Sequence, residues 1–119
     1  MKFDCNNIKI TEDNLACEII FSNHENSQLD CSRNYLILKR SYAETNLEED
    51  YVYVETPEPE NSGEYKNLQL NVYRNNLLLS YEKKLIDINL KINNEEFNKL
   101  EFMLKKIIGG KGFLHFSNT

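Results

Sequence analysis

The hydrophobic period of this chain changes once, and that change separates a strand-rich body from a terminal helix. Over residues 85–92 apolar and polar residues alternate, with Ile86, Ile88, Leu90 and Ile92 on one face and Asp87, Asn89 and Lys91 on the other. A period of two describes a strand with one buried face. Beyond Asn93 the apolar residues Phe97, Leu100, Leu104, Ile107 and Ile108 follow helical spacing. Asn93 is a good N-cap, and Glu96 three residues later completes a capping box. Ile92 and Phe97 stand at the two positions of a hydrophobic staple. Glu95 and Glu96 suit the positive end of the helix dipole, Lys105 and Lys106 suit its negative end, and Gly109-Gly110 stops it. The spacing therefore predicts a helix over 94–108 whose apolar stripe covers a sheet.

Upstream, alternation and turn residues predict seven strands, over 3–10, 15–22, 35–40, 51–56, 68–73, 77–81 and 85–92. The first is disturbed at Asn6-Asn7. Glu12-Asp13-Asn14 makes a hairpin of the first two, and 23–33 is a polar loop. In the fourth strand Val52 and Val54 face one way, and Tyr51, Tyr53 and Glu55 the other. Segment 56–67 holds both prolines, Pro57 and Pro59, and reads as an exposed loop. Arg74-Asn75-Asn76 reads as a tight turn, because Asn tolerates positive φ. The expected fold is α+β: a mostly antiparallel sheet of about seven strands with one C-terminal amphipathic helix packed on it, in a single domain over 1–119. The tail, 110–119, carries Phe113, Leu114 and Phe116 and reads either as one more short strand or as a sticky end.

Composition narrows the function. At 119 residues and 40% hydrophobic, the chain can bury a core without metals or disulfides. The three cysteines, Cys5, Cys17 and Cys31, lack metal-ligand spacing and are odd in number. They read as free thiols of a reducing compartment. The opening Met1-Lys2-Phe3-Asp4-Cys5 turns polar without an apolar core, so no signal peptide is expected and the localisation reads as cytoplasmic. No apolar run approaches the ~20 residues that span a bilayer. A net charge of −5 argues against nucleic acid and against an anionic membrane as partners. His24 and His115 lie far apart, a Cys31–His24 pair has no supporting motif, and there is no phosphate-binding loop or metal motif. The expectation is a protein without catalytic residues, cofactor or metal.

One stretch is uneven. From Glu44 to Glu64 lie eight acidic residues (Glu44, Glu48, Glu49, Asp50, Glu55, Glu58, Glu60 and Glu64) and no lysine or arginine. Tyr51, Tyr53 and Tyr65 are set within or beside them. Carboxylates that steer and tyrosines that anchor suit a basic protein partner. A solvated charge run, with tyrosines present because they favour strands, accounts for the same pattern. The candidate partner-binding residues are Glu48, Glu49, Asp50, Tyr51, Tyr53, Glu55, Glu58, Glu60, Glu64 and Tyr65.

The order of motifs resembles the immunity protein 10 family of bacterial polymorphic toxin systems. The resemblance runs from Phe3 to Ile108. It is carried by a Phe-led opening strand reaching Ile8-Lys9-Ile10 and by Tyr35-Leu36-Ile37-Leu38-Lys39-Arg40-Ser41. An acidic linker, Tyr53-Val54-Glu55 and a Gly63-Glu64-Tyr65 turn follow. Leu68-Gln69-Leu70 then leads into Arg74-Asn75-Asn76-Leu77, and Ile88-Asn89-Leu90-Lys91-Ile92 into the helix with Glu96, Leu100, Leu104 and Ile107. The resemblance implies an α+β fold, a cognate toxin domain as partner, and inhibition by direct stoichiometric binding without catalysis or cofactor. Many such toxins are basic nucleases, whose substrate charge an acidic inhibitor would mimic. The alternative is a small α+β module that binds a peptide or small ligand with no toxin partner, and a third reading is an enzyme of unrecognised type.

Overall fold

The computed structural model describes residues 1–23, 34–41, 51–108 and 113–116. The chain is α+β, as expected. Its strands, however, form two five-stranded sheets rather than one sheet of about seven, with ten strands among the described residues. They are β1 (Lys2–Cys5), β2 (Asn7–Glu12), β3 (Ala16–Ser22), β4 (Tyr35–Ser41), β5 (Val52–Glu55), β6 (Gly63–Tyr65), β7 (Gln69–Tyr73), β8 (Asn76–Tyr81), β9 (Lys84–Leu90) and β10 (Phe113–Phe116), with α1 (Asn94–Ile108) between the last two. One sheet runs β1-β9-β8-β7-β10 and the other β2-β3-β4-β5-β6.

The expected strand over 3–10 is really two strands in different sheets. Lys2–Cys5 lies parallel to β9, pairing Phe3 with Ile88 and Cys5 with Leu90. Asn7–Glu12 lies antiparallel to β3, pairing Ile8 with Phe21 and Ile10 with Ile19. The chain crosses from one sheet to the other at Asn6, whose N–H donates to the Ser22 carbonyl at 3.1 Å. The Asn6-Asn7 irregularity thus marks the crossing.

Segment 56–67 is a second correction. Thr56 is buried, a short 3-10 turn spans Pro59–Asn61, and β6 pairs antiparallel with β5. Side-chain bonds close this connection: the Thr56 N–H donates to Ser62 Oγ at 3.0 Å, and the Glu58 N–H to Thr56 Oγ1 at 3.0 Å. Gly63 has φ of 146°, a region that side-chain-bearing residues rarely adopt, and the Tyr65 ring folds back over it. The third correction concerns turns. The tight turn at Arg74-Asn75 forms as expected, with Tyr73 paired to Asn76, but neither Asn75 nor Asn76 has positive φ. Positive φ occurs in the next turn, where Glu82 and Lys83, at 48° and 71°, join β8 to β9 in two residues.

The inward residues of both sheets and the stripe of α1 join in one core that includes Ile19, Phe21, Leu36, Leu38, Leu70, Leu79, Ile88, Leu100 and Leu104. The helix forms over the expected residues. Its capping box is present in both directions: the Glu96 N–H donates to Asn93 Oδ1 at 2.8 Å, and the Asn93 N–H to Glu96 Oε1 at 3.1 Å. Phe97 is half-buried rather than buried, and the Arg74 guanidinium lies 4.9 Å from its ring centroid. Arg74 also donates to Asn94 Oδ1 and the Ile92 carbonyl, tying the β7–β8 turn to the helix start. At the other end Arg40 of β4 donates to the Ile107 carbonyl at 3.1 Å, and Lys106 meets Glu12 at 2.8 Å. The tail supplies β10, parallel to β7 with Leu114 beside Leu70 and Phe116 beside Val72. Among the described residues no helix is long and apolar enough to cross a membrane.

Candidate protein-binding face

The sheet β2-β3-β4-β5-β6 has one face on the core and one toward solvent. Alternation in β5 sends Val52 and Val54 inward, where they are buried, and leaves Tyr53 and Glu55 half-exposed on the outer face. The pairing register fixes their neighbours. Tyr53 lies between Lys39 on β4 and Glu64 on β6, and Lys39 lies beside Glu18 on β3. In the next outward row Glu55 lies beside Ile37, then Ile20, then Lys9. The outer face therefore has half-exposed isoleucines at its centre and tyrosines with charges of both signs around them.

Three of these side chains are joined. Tyr53 Oη donates to Glu55 Oε1 at 2.9 Å, and Tyr35 Oη donates to Glu55 Oε2 at 3.1 Å, with the Thr56 carbonyl 3.4 Å from the same hydroxyl. Tyr53 and Glu55 can meet because they are two residues apart on one strand. Tyr35 reaches the same carboxylate diagonally from β4, since its strand-mate Ile37 is the residue opposite Glu55. Both phenols titrate above the ordinary tyrosine range. In Tyr53 the hydrogen bond to Glu55 is the main cause, and in Tyr35 burial leads, followed by the bond to Glu55.

The other candidate residues divide between this face and elsewhere. Glu64 is exposed and opposite Tyr53, and Glu58 and Glu60 are exposed on the connecting turn, so these carboxylates line one edge of the sheet. Tyr51 is 36% exposed with the Lys66 ammonium 4.8 Å from its ring centroid. Tyr65 does not join them. It pairs with buried Val52 and faces inward, its ring centroid 4.6 Å from that of Tyr81. Glu44, Glu48, Glu49 and Asp50 lie outside the described residues.

Reading the acidic stretch alone misses Tyr35, Ile37, Ile20 and Lys39. The alternation Tyr35-Leu36-Ile37-Leu38-Lys39 could have placed three of them on one face, but which strand lies beside them depends on long-range register. Cys5 and Cys17 are free and buried, and burial pushes the Cys5 thiol up to about 11. His24 and Cys31 lie outside the described residues. Among the described residues no three side chains of His, Cys, Asp or Glu form a group that could hold a metal ion. No protein-family model matches the chain, and no curated protein matches it.

Proposed function

We propose that this chain is an immunity protein that binds a cognate bacterial toxin domain in the cytoplasm and neutralises it by stoichiometric occlusion. The observation that carries this reading is the placement of the acidic stretch. Tyr53, Glu55 and Glu64 share the outer face of β5 and β6, and Glu58 and Glu60 project from the turn that joins those strands. A face that holds Tyr53, with Tyr35 of the neighbouring β4, among carboxylates suits a basic protein surface, because the charges speed encounter and the rings supply contact area. The order of motifs shared with the immunity protein 10 family supports the same reading.

Co-expression with the product of the adjacent reading frame, followed by titration of that product's activity, tests it. The two should co-purify, and activity should fall to zero near one equivalent of inhibitor. Silencing of many toxin molecules by one molecule of this chain, or failure to co-purify with a toxin-like neighbour, would overturn the reading.

A further inference from the structure

Glu55 differs from the other charged residues on its face in how it is held. Each of its oxygens accepts one tyrosine hydroxyl, at 2.9 and 3.1 Å, and the side chain is half-buried between the strands. Like most carboxylates among the described residues it makes no ion pair, and its two phenol bonds are what set it apart. The tyrosine rings show a contrast of their own. Lys66 lies over Tyr51, and Lys84 over Tyr65 and Tyr81, but no described cation lies over Tyr35 or Tyr53. Lys39, next to Tyr53 on the same face, pairs with none of the three. A half-buried carboxylate is held in place by two tyrosine hydroxyls, with no counter-charge among the described residues.

A carboxylate oxygen has about two lone-pair sites, so one hydroxyl on each oxygen leaves one site on each. Two acceptor sites on one carboxylate are what a guanidinium uses, since it forms forked pairs with carboxylates and also stacks on aromatic rings. An ammonium is a more strongly hydrated point donor that can use only part of this arrangement. The two hydroxyls also spare the complex the entropy of fixing the carboxylate. We propose that Glu55, clamped by Tyr35 and Tyr53, is the seat for one arginine side chain of a protein partner. The seat rests on the immunity reading only for the source of that arginine, namely the toxin.

NMR titration of the full chain with N-acetyl-arginine amide and, separately, N-acetyl-lysine amide tests the seat without needing the toxin. Arginine amide should give saturable shifts centred on Tyr35, Ile37, Tyr53 and Glu55, with affinity about tenfold above that of lysine amide. Glu55→Gln keeps an oxygen for the tyrosines but removes the charge, and should abolish those shifts while the remaining spectrum is unchanged. The Tyr35→Phe, Tyr53→Phe pair keeps charge and rings but frees the carboxylate, and should bring the arginine preference down toward that of lysine. Shifts that do not saturate, equal affinity for the two amides, or arginine binding that survives Glu55→Gln would each overturn the proposal. A toxin that binds wild type and Glu55→Gln equally well would also overturn it, while leaving the immunity reading standing.

Discussion

The Tyr81 hydroxyl donates to the backbone carbonyl of Asn61 at 2.6 Å, joining a strand of one sheet to the turn that carries the acidic edge of the other. Tyr81 is buried in β8, and Asn61 closes the 3-10 turn between β5 and β6. The ring of Tyr65, tilted at 55° against that of Tyr81 with centroids 4.6 Å apart, reinforces the same junction. Tyr81→Phe keeps the ring and removes only the donor. It should cost about 1 kcal/mol in urea unfolding, the usual net value of one hydrogen bond, with more if the carbonyl is left dry. Amide exchange at Asn61 and Ser62 should quicken more than exchange in β8. An unchanged midpoint would mean that water replaces the phenol without loss.

The same tyrosine sets an alkaline limit on stability. Burial, helped by Tyr65, Glu58 and Glu82, pushes its phenol from 10.0 up to about 12. The unfolded chain releases this proton first, so the stabilisation is complete below pH 10 and is lost as pH rises toward 12. The full loss should amount to about 3 kcal/mol. Wild type should lose its lead of about 1 kcal/mol over Tyr81→Phe as pH rises through this window, and the two unfolding free energies should then cross. Parallel curves would show that other groups dominate.

The helix offers a contrast within three residues. Leu100 is fully buried and Phe102 is 60% exposed. Leu100→Ala should cost roughly 2–5 kcal/mol, the range for a buried leucine truncated to a cavity. Phe102→Ala should stay within about 0.5 kcal/mol, as surface substitutions do. Chemical denaturation of both variants checks the assignment of faces, and a reversed order would mean that the helix is rotated.

Cys5 and Cys17 should be inert in the native protein. Both are buried, Cys5 is held as a neutral thiol by desolvation, and its Sγ lies 3.3 Å from the Asn7 carbonyl. A thiol reagent should modify these two only as fast as the chain opens, and should find both on addition of denaturant. A disulfide between them would refute the assignment.

Features encoded within a few residues were legible in the sequence, and features that depend on distant pairing were not. Asn93, Glu96 and the stripe from Phe97 to Ile108 specify the helix locally, and the structure reproduces it. The outward face of Tyr53 and Glu55 follows from alternation alone. By contrast, Asn6-Asn7 shows a break between Phe3 and Ile10 but not that the two pieces belong to different sheets, because only the remote partners, β9 and β3, divide them. The β8–β9 turn escapes turn chemistry, since Glu82 and Lys83 take positive φ where Asn or Gly would be expected. Tyr35 joins the candidate site only through the register of β4 against β5. The tail is likewise one edge of a sheet, with Phe116 packed against the core. Deleting it would remove a strand, so that deletion does not isolate a binding role for the tail.

Side-chain position also separates the roles of the tyrosines and carboxylates in partner binding. Glu58 and Glu60 are exposed on a turn, where they contribute field but little contact. Glu58→Lys with Glu60→Lys should slow association with the toxin at low salt, and the difference should shrink as salt screens it over about 10 Å or less. Tyr53 lies on the outer face between Lys39 and Glu64, so Tyr53→Ala should leave association nearly unchanged and speed dissociation at every salt concentration. The cost should be ~2 kcal/mol if the ring is an anchor. Tyr65 faces inward against Tyr81, so Tyr65→Ala should lower folding stability before it alters binding. Binding kinetics at two salt concentrations, with unfolding midpoints for the same variants, distinguish the three effects. Should Tyr65→Ala weaken binding at full stability while Tyr53→Ala does nothing, the toxin would be meeting the inner edge of β6, and the outer face would not be the interface.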